Sequence, residues 1–181
     1  MKTFVSFATV GAMAAALTTT PAYAQSEAET IASAESAAPV AVGAAATIYG
    51  FDEAGALITL REGSNGWWCM PDTPSTPGPD PMCGDANAME WAMAWMGKTE
   101  PPAGKVGFMY MLLGGADANN TDPYATEPAE GDNWITTGPH VMIVSFGDLM
   151  AGYSTDPNPD TSQPYVMWAG TPYAHLMLPV E

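Results

Sequence analysis

Five prolines crowd one short stretch, at positions 71, 74, 77, 79 and 81, and bar it from any helix or interior strand. Whatever the chain folds into must carry a stiff surface loop there. The only two cysteines, Cys69 and Cys83, bracket that loop. In an oxidising compartment they are expected to close it as a disulfide, which stabilises a fold by about 3 kcal/mol on the chain-entropy estimate. Their spacing does not fit a Cys-x-x-Cys metal or redox pair.

The compartment follows from the first residues. Lys2, an apolar run over 5–17 and Ala22-Tyr23-Ala24 supply the basic, hydrophobic and small-residue parts of a secretory signal, with cleavage expected after Ala24. The mature protein is therefore expected to be soluble, in the periplasm or outside the cell. Neither that run nor any later one reaches the roughly 18 to 20 apolar residues of a membrane helix, so membrane insertion is not expected. Residues 25–45, rich in Ala, Glu and Ser and free of aromatic residues, read as a flexible leader with at most a weak helix between Glu27 and Ser36. Residues 46–181 read as a single globular domain.

Charge narrows the partners. Without Lys2 the chain keeps Arg61, Lys98 and Lys105 against twenty carboxylates. No basic patch exists to neutralise phosphates, which excludes nucleic acid and anionic membrane surfaces. Such acidity favours solubility and attracts cations.

Strand and turn signals dominate the domain. Residues 47–51 and 56–61 flank Asp52-Glu53-Ala54-Gly55, and Ser64-Asn65-Gly66 turns the chain into 67–70, so a three-strand meander is expected. Asp85 is placed to cap a helix over 86–96, with Gly97 as the residue just past its end. Met89, Met93 and Met96 form one stripe on it, Trp91 and Trp95 a second, and Glu90 is its single charge, so most of its circumference is expected to be buried. Alternating large residues at 106, 108, 110 and 112 suit a central strand. Residues 134–136, 140–146, 165–168 and 174–178 supply the rest. The expected fold is α+β, a predominantly antiparallel sheet with one well-defined helix packed on it.

The only two histidines each stand two residues before a methionine, in Pro139-His140-Val141-Met142 and Ala174-His175-Leu176-Met177. On a strand, period-two alternation puts each His and its Met on one face, and two adjacent strands would bring two imidazoles and two thioethers together. That donor set suits copper, Cu(I) above all, and suits calcium or magnesium poorly. His140, Met142, His175 and Met177 are thus the candidate ligands. Eleven methionines lie beyond Ala24, and because exposed thioethers oxidise, most are expected inside. Ordinary core packing by methionine accounts for many of them without a metal.

Two alternatives stand beside the reading as a secreted or periplasmic domain that binds a metal ion or small molecule. One is a hydrolase or lyase using His140 or His175 with a carboxylate from Asp85, Glu90, Asp117 or Asp148. No Gly-rich phosphate loop or His-Glu-x-x-His is present, and Ser145-Phe146-Gly147 copies half a nucleophile elbow, with Ile143 where glycine is required. The other is a carbohydrate-binding module using exposed Trp67, Trp68 and Trp134. The oxygen-rich run of Asp117, Asn119, Asn120, Thr121 and Asp122 lacks the spacing of a calcium loop and reads as turn chemistry.

Overall fold

The computed structural model describes residues 26–180; the expected signal sequence lies outside them. Ten strands follow in chain order: β1 (Thr47–Phe51), β2 (Leu57–Arg61), β3 (Trp68–Met70), β4 (Met82–Gly84), β5 (Gly107–Met111), β6 (Gly115–Asp117), β7 (Ile135–Thr137), β8 (His140–Val144), β9 (Tyr165–Met167) and β10 (His175–Pro179). Eight of them make one sheet in the order β2-β1-β3-β4-β5-β8-β10-β9, and β6 with β7 forms a separate two-stranded ribbon. Every pairing is antiparallel except β1 with β3. With few helices and one long helix on the sheet, the architecture is the α+β arrangement the sequence predicts.

The expected three-strand meander is not formed. β3 lies parallel to β1 on the edge away from β2. The chain leaving β2 must cross the start of β1, and Gly63 permits it: a Cβ there would sit 2.1 Å from the Thr47 nitrogen. Ser64 then donates to the Ala45 carbonyl and Thr47 to that of Trp67, which fixes the crossing. β3 and β4 flank the proline loop, and Cys69 stands directly opposite Cys83 in their ladder, bonded as a disulfide.

The stretch expected as a flexible leader is structured from Ser26 onward, as helix α1 (Glu27–Glu35) and the short α2 (Val40–Gly43). Ser26 and Glu29 cap α1 reciprocally, each side chain accepting from the other's backbone N–H. Ala34, Ala37, Ala38 and Ala46 are buried against Ile48, Cys69 and Cys83. Their small side chains let the segment lie directly on the disulfide, and Arg61 ties it down through Glu35 and the carbonyls of Gly43 and Ala46. Among the described residues, the packed unit therefore includes 26–45 as well as the residues from 46 onward. Low aromatic content suggested disorder, but alanine is both a strong helix former and thin enough to pack closely.

Across the other face of the sheet lies α3 (Ala86–Met96). One Asp85 carboxylate oxygen accepts from the Ala88 nitrogen at 2.8 Å and the second from the Phe108 nitrogen at 3.3 Å. Ala88, Trp91, Ala92 and Trp95, spaced i, i+3, i+4 and i+7, make the inward stripe. The helix approaches closely because Gly107 beneath it has no side chain; a Cβ there would meet the Ala88 nitrogen at 2.4 Å. The expected burial of its methionine stripe fails, since Met93 and Met96 are 48% and 41% exposed. The tryptophans take the inward face because the sheet below already presents methionines. Gly97 stays right-handed, and it is Lys98, at φ 54°, that turns the chain out of the helix.

Asp85→Ala removes the cap and leaves the Phe108 N–H without that acceptor. A loss of roughly 1 to 2 kcal/mol is expected, read as a lower urea midpoint; an unchanged midpoint would mean the cap contributes nothing.

Candidate functional site

β5, β8, β10 and β9 lie side by side, and their register stacks one face into rows. Met109, Met142, Met177 and Tyr165 occupy one row across the four strands. Val144, His175 and Met167 make the row on one side of it, and Met111 with His140 the row on the other. The two His-x-Met segments are thus on neighbouring antiparallel strands, with Met142 directly opposite Met177. All four candidate ligands share this face. The sequence did not point to Met109, Met111 and Met167, which stand there too. The spacing Met109-x-Met111 is a signal for it, but the larger residues at 108 and 110 mark the opposite side of the strand, where Phe108 is 46% exposed.

Between this face, α3 and the β6–β7 ribbon lies a cavity of about 410 Å³. Met70, Met82, Met109, Met111, Met142, Met167 and Met177 are among the residues that line it, with Trp91, Trp95, Trp168 and both histidines. Its rim includes the exposed Thr73 and Ser75 of the proline loop, and Asp122 and Thr126 opposite.

Both imidazoles are held alike. His140 Nδ1 lies 2.7 Å from the Gly138 carbonyl and His175 Nδ1 2.9 Å from that of Tyr173. A carbonyl only accepts, so each Nδ1 carries the proton and each Nε2 presents a lone pair. Neither Nε2 has a protein hydrogen-bond partner, although His140 is 1% exposed and His175 0%. Burial disfavours the imidazolium in both: the His140 pKa is lowered, and that of His175 falls to about 4. A neutral imidazole with a fixed Nδ1 proton and a free Nε2 is the form in which histidine ligates metals.

Tryptophans wall the His175 end. The Trp91 and Trp168 rings stack nearly parallel, and His175 meets both edge-on with centroids at 5.2 and 4.9 Å. Trp168 is held in a left-handed conformation, φ 56°, that bulky residues rarely adopt. Its backbone N–H donates to the Asn120 carbonyl and its Nε1 to that of Asn119. Those bonds hold the strained backbone and aim the indole into the cavity.

Carboxylates stand near the His140 end. A Cβ on Gly115 would lie 2.9 Å from the Met111 methyl, 3.6 Å from His140 Cε1 and 3.9 Å from the Asp80 Cβ, so these side chains gather around one small glycine. Burial pushes the Asp117 carboxyl up to about 7, and the charge of Asp80 adds to it. Asp80 is also raised, mainly by burial, against a lowering hydrogen bond from Thr76. Nothing in the proline loop marked Asp80 as a cavity residue.

The other expected site residues fare differently. Asp85 serves as a helix cap, Glu90 pairs with Lys105 at the surface, and Asp148 is exposed in a 3-10 turn; none of the three is hydrogen-bonded to a histidine. The catalytic alternative required a carboxylate within hydrogen-bond reach of an imidazole, and neither Nε2 has one. Trp68 is buried and donates to the Asp85 carbonyl, Trp67 is half-buried against Tyr110, and Trp134 is half-buried at the cavity, which leaves no exposed platform of the three. Asn119 and Asp122 accept from nearby backbone N–H groups as turn residues do. Among the described residues, no three His, Cys, Asp or Glu side chains converge, and no helix is long and apolar enough to cross a membrane.

Comparison with known proteins finds no matching family model, no matching curated protein and no matching solved structure.

Proposed function

We propose that this chain is a secreted or periplasmic binding protein for a soft metal ion, with Cu(I) as its cargo, held in the cavity between α3 and the sheet. The observation that carries this reading is the pair of buried imidazoles whose Nε2 atoms have no protein hydrogen-bond partner, both belonging to residues that line a methionine-rich cavity. Thioether and neutral imidazole match Cu(I) better than any hard cation. The disulfide fits an oxidising compartment, and the excess of carboxylates draws cations toward the molecule.

The test is anaerobic competition for Cu(I) against a colorimetric chelator such as bicinchoninate. The wild-type protein is expected to withdraw Cu(I) from the chelator, and His140→Ala/His175→Ala to lose that ability while keeping its far-ultraviolet circular dichroism. A wild-type protein that leaves all the copper on the chelator overturns the reading.

A second reading has one observation in its favour. A cavity of about 410 Å³ lies in the size range of small-molecule pockets, and its indoles and thioethers suit an apolar, aromatic ligand. In that case an environment-sensitive apolar dye should quench the tryptophans and compete with no metal.

A further inference from the structure

The candidate ligands are spread along the strands in a way that bears on how many ions the cavity takes. In the β8–β10 ladder His140 stands opposite Pro179, while His175 stands opposite Val144. The two histidines are therefore four ladder positions apart, which at about 3.4 Å per residue separates their backbones by roughly 13 to 14 Å. Each ring is tethered through Nδ1 to the carbonyl two residues before it, Gly138 or Tyr173. On antiparallel strands both tethers pull outward, away from the other histidine. Metal–nitrogen bonds are only about 2 Å long, so with both tethers kept the two Nε2 atoms do not reach one ion.

Each histidine has its own sulfur neighbours instead. His175 has Met167 directly across the ladder and Met177 two residues on along its strand. His140 has Met111 directly across, its methyl close by over Gly115, and Met142 two residues on. Period-two alternation turns all of these toward the cavity, and three rotatable bonds let each thioether swing toward an ion. A volume of about 410 Å³ leaves space for more than one ion with its donors.

We infer that the cavity holds two soft-metal positions, one built on His175 with Met167 and Met177 and the other on His140 with Met111 and Met142. This deepens the proposed function and rests on it. The row of Met109, Met142 and Met177 runs between the two positions, so neighbouring thioethers connect them.

Stoichiometry separates this inference from the reading beneath it. Anaerobic titration of the full-length protein with Cu(I), against a chelator and with bound copper counted after gel filtration, is expected to give two equivalents in wild type. His140→Ala and His175→Ala should each retain one, and the double variant none. One equivalent in wild type, lost in either or both single variants, means a single position and overturns the inference while leaving Cu(I) binding in place. No retained copper in wild type overturns both. Should a histidine variant fail to fold, Met111→Leu and Met167→Leu keep the apolar volume and remove one sulfur from each position. Each is expected to weaken one of the two equivalents by tenfold or more and spare the other; equal weakening of both, or of neither, counts against two positions.

Discussion

Acidification of the metal-free protein from pH 7.5 to pH 4.5 is expected to remove about 2.5 kcal/mol of stability through His175 alone. In the folded chain its imidazole is fully buried and its pKa falls to about 4, against 6.5 for a free side chain. Below pH 6.5 the unfolded chain therefore takes up a proton that the folded chain refuses, and each further pH unit favours unfolding by up to about 1.4 kcal/mol until the folded pKa is reached. His140, lowered in the same direction by burial, adds to this. Asp117 opposes it. Its folded pKa of about 7 stands above 3.8, so between those values the folded state holds a proton that the unfolded state has lost, and acid stabilises through this group. The net curve is thus shallower than the histidines alone would make it. His175→Gln isolates the contribution, since the amide fills much of the ring's place without titrating. Urea unfolding at both pH values should show the variant losing about 2.5 kcal/mol less than wild type on acidification. Equal losses in the two proteins would mean that His175 is not held neutral inside.

The local devices of this fold were legible in the sequence. Asp85 caps α3 because a short acceptor precedes an apolar run, and period-two spacing put each histidine on the same face as its methionine. The proline run marked the loop that the disulfide closes. Strand order was not legible, because it depends on where the chain can cross itself. β3 lies beside β1 through the absence of a side chain at Gly63, and nothing local distinguishes that glycine from a turn glycine. The same holds for Ala34, Ala37, Ala38 and Ala46, in and around the two N-terminal helices, which read as a leader in isolation and become core only with Cys69 and Cys83 beneath them. In the cavity, the two histidines announced themselves by rarity. Met109, Met111 and Met167 did not, because a strand methionine looks alike whether it fills a core or faces a ligand, and only register with β8 and β10 separates the cases. Trp168 was hidden for another reason: its inward aim comes from a positive φ that no sequence pattern signals for tryptophan.

Breaking the disulfide should lower the melting temperature by roughly 6 to 12 °C, the shift that about 3 kcal/mol produces in a domain of this size. Cys69 and Cys83 are 14 residues apart in sequence and directly paired in the β3–β4 ladder. In the unfolded chain the bridge keeps the proline loop closed, and without it that loop regains its freedom. In the folded chain both cysteines are fully buried under α1, at the centre of the cluster that joins the N-terminal helices to the sheet. The effect also reaches the cavity. Met70 and Met82, each next to a bridged cysteine, are cavity-lining residues, as are Pro71, Thr73 and Asp80 of the loop. Loosening this loop therefore loosens one wall. Cys69→Ala/Cys83→Ala avoids placing new polar atoms in the core and is expected to melt in that lower range. It should also release a bound cavity ligand faster than wild type, in proportion to the mobility gained by residues 70–82. Thiol titration of the unfolded, unreduced wild-type protein should find no free thiol; two reactive thiols, or a melting temperature unchanged in the double variant, would remove the bridge from this account of both stability and the cavity wall.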